Sequence, residues 1–225
     1  EILECVVTPL HSVVEYNSAI DEMLSECWFL HISQDSKIYF DRQENLTKML
    51  QGLAAVATEG QIDELVKTRL QAMFAPTRKT TYGKVIALPR LNEALEEVKR
   101  NRVLLIIDPA HKMPPDELAK FFAELTEKNN LLVLTGDSTQ MASITAAARK
   151  VYATLKAENK ISKNHVQYEE FLGKKESSDH EFYSTILGVF DKVIYPVQIG
   201  DRAAELKIKP LDTKRDSSKP FEGEA

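Results

Sequence analysis

Three short apolar runs constrain this chain more than anything else in it: Val85-Ile86-Ala87-Leu88, Val103-Leu104-Leu105-Ile106-Ile107 and Leu131-Leu132-Val133-Leu134. Each is continuous rather than alternating, the pattern of strands buried on both faces of a parallel sheet. Between them stand helical patterns, Leu91, Leu95 and Val98, then Leu118, Phe121, Phe122 and Leu125. Each is long enough for a right-handed crossover. The expectation is an α/β, Rossmann-like three-layer domain with a mostly parallel sheet over residues 83–211. A strong helix is expected from about Thr139 to Glu158, then a pair of helical segments from about His165 to Phe190, interrupted by the polar stretch Gly173 to Ser178. Val193-Ile194-Tyr195 and Leu206-Lys207-Ile208 read as late strands, and residues 212–225 as a polar tail.

The first part of the chain has a different pattern. Ile20, Met23, Leu24, Cys27 and Trp28 recur at three- and four-residue steps, which predicts a helix with Asn17 and Ser18 as caps and Trp28 in the core. Phe29-Leu30-His31-Ile32 and Lys37-Ile38-Tyr39-Phe40 flank the turn formers Gln34-Asp35-Ser36 and predict a hairpin. Helix followed by hairpin is the ending of a winged-helix unit, so residues 1–45 are expected to be a winged-helix-like remnant. Lys37 at the hairpin tip is then the candidate contact for a nucleic-acid phosphate; the simpler expectation is a hairpin that only packs on Trp28. Asn45 caps a further helical pattern, one long helix or two short ones, that makes residues 46–82 a helical linker. It ends in the aperiodic stretch Ala75 to Tyr82. Because apolar Ile2 and Leu3 follow Glu1 at once, the chain reads as a piece of something longer.

Composition narrows the function. The 225 residues are 43% hydrophobic and 28% charged, enough for a real core and too apolar for disorder. Lys and Arg total 29 against 34 Asp and Glu, so general attraction to a nucleic-acid backbone is not expected of the whole chain. With only Cys5 and Cys27, no long apolar run and no signal peptide, a cytoplasmic, reducing compartment is expected. The glycines at 52, 60, 83, 136, 173, 188, 200 and 223 never stand two or five apart, so GxxxxGK[ST] and GxGxxG are both absent. No HExxH, CxxC or GxSxG occurs. No catalytic motif stands in the sequence.

Chemistry, if present, belongs at the carboxyl ends of the strands. Asp108 and Asp137 stand at two such ends, and neighbouring strands would let them hold a divalent metal, with Ser138, Asp116 or His111 nearby, for phosphoryl or phosphodiester chemistry. The plainer expectation is structural: Asp108 precedes Pro109, and Asp137 and Ser138 are N-cap residues. Ile106-Ile107-Asp108 also has the form of a Walker B strand, but no phosphate loop accompanies it. The run Lys99, Arg100 and Arg102 is read as a solvated helix C-terminus and the histidines at 111 and 165 as surface residues.

The segment from Ser25 to His31, followed by Lys37-Ile38-Tyr39-Phe40 and Glu44-Asn45-Leu46, resembles the post-ATPase region of the domain of unknown function 499 family. Lys128 to Leu134, leading to Met141 and Ala147-Ala148-Arg149, is similar to that family's downstream α/β region. The family comprises large predicted AAA-type ATPases of bacterial DNA-modification and anti-phage gene sets. The resemblance implies a non-catalytic C-terminal fragment whose Mg-ATP site lies in the parent's ATPase core, with that core, DNA or a DNA-modification protein as partner. It carries no cofactor or metal residue onto this chain.

Overall fold

The computed structural model describes residues 12–32, 35, 37–41, 44–76, 81–110, 115–163, 165, 167–198 and 204–211. By contacts the chain divides into two units, residues 1–57 with 152–176 and residues 58–151 with 177–225. The stretch expected as a linker, 46–82, is therefore shared between them.

In the first unit, α1 spans Val13–Glu26. It starts on a capping box: the Ser12 side chain accepts from the Glu15 N–H, and the Glu15 carboxylate accepts from the Ser12 N–H at 2.8 Å. Two orphan donors are satisfied at once, which fixes the helix start five residues before the expected cap at Asn17. Asn17 and Ser18 stand exposed inside the helix. Strands β1 (Leu30–Ile32) and β2 (Ile38–Phe40) form an antiparallel hairpin with Leu30 opposite Phe40.

Asn45 ties the next helix to what precedes it. Its Oδ1 accepts from the N–H groups of Thr47 and Lys48, capping α2 (Leu46–Ala55), while its Nδ2 donates to the Leu24 and Leu30 carbonyls at 3.3 and 2.6 Å. The core of this unit is Leu46, Ala157, Ile161 and Phe171, backed by Met49, Leu50 and Leu53. Trp28, expected in the core, is 43% exposed. A Cβ at Gly52 of α2 would meet its ring at 3.7 Å, so that part of the indole is covered.

The second unit begins with α3 (Glu59–Met73), capped by a Thr58–Gln61 box, which buries Ile62, Val66, Leu70 and Met73 at helical spacing. Then β3 (Lys84–Ala87), α4 (Leu91–Arg100), β4 (Val103–Ile106), α5 (Pro115–Glu124) and β5 (Leu131–Thr135) follow as two crossover units. Val103, Leu105, Ile107, Leu131 and Val133 meet α4 and α5 in one apolar cluster. Leu104, Ile106 and Leu134, on the opposite face, are buried as well, which is why these strands read as continuous apolar runs.

Helices α6 (Met141–Ala157) and α7 (Tyr168–Val189) run through the division between the units, and β6 (Lys192–Val197) and β7 (Glu205–Pro210) complete a five-stranded sheet. Its order is β3-β4-β5-β6-β7, the order of the sequence. The first two pairings are parallel and the last two antiparallel, so the sheet is mixed, parallel from β3 to β5 and antiparallel from β5 to β7. The cause is the connection. α6 leaves the carboxyl end of β5, and α7 brings the chain back to that same end, where the Asp137 N–H donates to the Val189 carbonyl. A strand starting there must run antiparallel to β5.

The expected break at Gly173 to Ser178 is absent, and α7 is one helix of 22 residues. Gly173 lies on an open face, with nothing within 4 Å of an added Cβ. The polar stretch is held by ion pairs instead, Lys175 with Glu158 at 2.7 Å and Lys174 with Glu170 at 3.6 Å. Among the described residues no helix is long and apolar enough to cross a membrane.

Candidate functional site

The carboxyl ends of β3, β4 and β5 lie side by side. At the first, Leu88 has φ 50° before Pro89, and its N–H donates to the Ile106 carbonyl at 2.8 Å. A left-handed leucine stores on the order of 1–2 kcal/mol of strain. At the second stands Asp108, at the third Asp137. Ile106 pairs with Leu134, so the two acids do end adjacent parallel strands.

Each acid is engaged locally. The Asp108 carboxylate accepts from the Ala110 N–H at 2.7 Å, closing a turn through Pro109. Asp137 caps the 3-10 turn Ser138–Gln140 that leads into α6, its Oδ1 accepting from both the N–H and the hydroxyl of Thr139 at 2.9 Å. The Thr139 N–H, its hydroxyl and the charge of Lys192 hold the Asp137 carboxyl below its ordinary range. Ser138 contributes to that same turn, and Asp116 falls in the first turn of α5. His111 lies outside the described residues.

Gly136 decides what else can enter. A Cβ there would stand 1.6 Å from the Val189 carbonyl oxygen and 2.6 Å from its carbon. The end of α7 therefore occupies the space beyond β5, and it presents a carbonyl. The N–H groups of Asp137 and Thr139, which an anion would need, are already donating to Val189 and Asp137.

Sequence reasoning missed a third acid at this end of the sheet. Asp191 immediately precedes Lys192, the partner of Thr135, and its Oδ1 is buried without a hydrogen-bond partner. Only knowledge that β6 runs antiparallel beside β5 could have placed it there. Asp108, Asp137 and Asp191 share one end of the sheet, yet among the described residues no three His, Cys, Asp or Glu side chains converge as a metal would require.

Lys37 stands exposed just before β2. The sequence about it is acidic: between residues 12 and 48 it has seven Asp and Glu against Lys37, Arg42 and Lys48. His31 stacks on Tyr39 at 5.6 Å between ring centroids, bracing the hairpin. His165 accepts from the Gln167 N–H through Nδ1 at 3.2 Å at the entrance to α7. Lys99 and Arg100 pair with Glu96 in the last turn of α4. No protein-family model, curated protein or solved structure matches the chain.

Proposed function

We propose that this chain is a non-catalytic contact module, working through the surface of its first unit. The observation that carries the reading is where its apolar surface lies. Of eleven large hydrophobic residues exposed in the described structure, eight fall between Val13 and Phe40. Scattered exposed apolar residues are ordinary, whereas a local concentration marks a surface that meets something else. Through its resemblance to the domain of unknown function 499 family, the module would accompany the ATPase core of a bacterial DNA-modification or defence protein. In that setting the first unit reads as a winged-helix remnant, supported by the helix and hairpin, and the second as a Rossmann-like domain, supported by three successive parallel strands with helical crossovers. The acidic balance around Lys37 favours protein over DNA as the partner.

Titration calorimetry of the chain with Mg-ATP, together with a phosphate-release assay, tests the non-catalytic half. The expectation is affinity no better than about millimolar, roughly 4 kcal/mol, and no turnover. Turnover that disappears in Asp108→Asn would overturn it.

A second reading, a metal-dependent enzyme on nucleic acid or a phosphorylated substrate, is favoured by one observation, the adjacency of the strands that end in Asp108 and Asp137. Manganese soaking separates the two. An octahedral oxygen site shared by both carboxylates supports the enzyme; no ion between them supports the module.

A further inference from the structure

We propose that the face formed by α1 and the β1–β2 hairpin docks a basic amphipathic segment of a partner protein, seating one lysine or arginine in the groove beside α1. The proposal rests on the contact-module reading and names the chemistry of the partner. Val13, Tyr16, Ile20, Met23, Leu24 and Cys27 form one stripe at helical spacing, yet none of them is buried. Val13 and Met23 are 48% and 50% exposed, and the hairpin adds Ile32 at 55% and Phe40 at 76%. Among the described residues the stripe of this 14-residue helix is half-buried at Tyr16, Ile20, Leu24 and Cys27 and open at Val13 and Met23, so part of its apolar surface is left to meet a partner.

Charge identifies what that partner is. Between residues 12 and 48 the sequence has seven carboxylates against three cations, so the segment that carries the apolar face has a surplus of negative charge, even with Glu26 paired to Lys48. A second copy would bring the same surplus and be repelled, and a DNA backbone likewise. A basic segment is attracted, and its apolar side matches the stripe.

The groove supplies an anchor point. It has a volume of about 240 Å³, with Leu24, Ile32 and Leu46 among its lining and the carboxylates of Asp21 and Glu170 beside them. That combination suits a long side chain, its methylenes against the apolar lining and its cation between the acids. Glu170 already pairs with Lys174 at 3.6 Å, but both side chains are at least a third exposed, so an incoming cation can compete.

The test uses the full chain and a synthetic amphipathic peptide of roughly 14 leucines and lysines, long enough for a helix, against the same peptide with glutamate for every lysine. Trp28, the single tryptophan, reports binding by fluorescence, and calorimetry gives the affinity. The lysine peptide is expected to bind at least about tenfold more tightly than the glutamate peptide and to weaken with added salt. Asp21→Lys and Phe40→Ser, both at exposed positions, should each weaken it by about fivefold or more with the circular dichroism spectrum unchanged. Equal binding of both peptides, or lysine-peptide binding that neither substitution alters, overturns the proposal. So does sedimentation showing a dimer that Phe40→Ser disrupts, or a short DNA duplex that competes for the face. If the glutamate peptide alone binds and Phe40→Ser removes it, the basic partner is wrong while the contact module stands. If neither peptide binds and Mg-ATP is turned over, both readings fall.

Discussion

Replacing Gly136 by alanine tests the packing on which the second unit depends. The added Cβ would fall 1.6 Å from the Val189 carbonyl oxygen, and every near neighbour is backbone: Val189 O, Val189 C and the Phe190 Cα at 3.1 Å. Nothing there is the far end of a flexible side chain, so either the end of α7 or the end of β5 must move by more than an ångström. Overpacking of this kind costs about 1–3 kcal/mol and occasionally more. The shift also breaks the Asp137 N–H to Val189 hydrogen bond, now 3.2 Å, at roughly 1 kcal/mol. A total of about 2–4 kcal/mol is a large share of an ordinary domain's stability. At about 2–4 °C per kcal/mol for a chain of this size, the melting point should fall by roughly 4–16 °C. Gly173→Ala is the internal control. Its Cβ meets nothing, so the better helix propensity of alanine should stabilise α7 by about 0.5–1 kcal/mol. Thermal and urea unfolding followed by far-ultraviolet circular dichroism measure both. A Gly136→Ala protein that melts within a degree or two of the wild type would show that the end of α7 is not fixed against β5, and the account of why β6 runs antiparallel would lose its anchor.

Asn45→Ala removes the α2 cap and two donors to main-chain carbonyls together, and should cost about 2 kcal/mol, read from urea unfolding by Trp28 fluorescence. Tyr82 is buried, its hydroxyl donates to the Phe74 carbonyl at 2.8 Å, and burial raises its pKa. The folded state therefore keeps its proton above the unfolded value near 10, so this stabilisation is present below about pH 10 and declines as pH rises through the folded value. Tyr82→Phe should flatten that alkaline decline in a pH series of melting points, at a cost of about 1 kcal/mol at neutral pH. For Asp137 the sign is opposite: with its carboxyl held low by the Thr139 hydrogen bonds, its contribution is present above about pH 4 and lost as pH falls through the folded value. Asp137→Asn should shrink the acid decline of stability, and carboxyl titration by NMR should give Asp137 a lower midpoint than an unperturbed aspartate.

Where the sequence was legible, the signal was local and periodic. The strands over 85–88, 103–107, 131–134 and 193–195 could be read because burial on two faces, or on one, imposes a pattern within a few residues, and 206–208 from its apolar–polar alternation, although β7 is largely exposed. The Asn45 cap was legible for the same reason. Apart from the start of α1, where the local Ser12–Glu15 capping box was overlooked, the failures involve distant residues. Trp28 continues the period of α1, and the period says it faces inward; it cannot say that only part of the indole, beside Gly52, is covered. Gly173 to Ser178 read as a break because its polarity was weighed without Glu158, which lies outside the window and pairs with Lys175. The direction of β6 depends on where a two-helix excursion ends, a fact carried by Gly136 and Val189, 53 positions apart. Asp191 stayed invisible as a candidate acid for that reason.

Strand order changes how the strand ends themselves should be regarded. Ligand crevices of open α/β sheets form where the order reverses, because there the connections diverge to opposite faces and leave a gap between them. In this sheet each strand lies beside its predecessor from β3 to β7, and α4 and α5 share one cluster on one face. No reversal opens a gap. The one position where adjacent strands end in acids is bounded by the Val189 carbonyl, which repels an anion, and the acids themselves are turned onto Ala110 and Thr139. A cation would have to draw Asp108 and Asp137 away from those N–H donors. The first unit presents the reverse situation, apolar side chains in water beside an acidic groove, where binding would improve the packing instead of disrupting it. That asymmetry is why we place the proposed contact on α1 and the hairpin, and not at the end of the sheet.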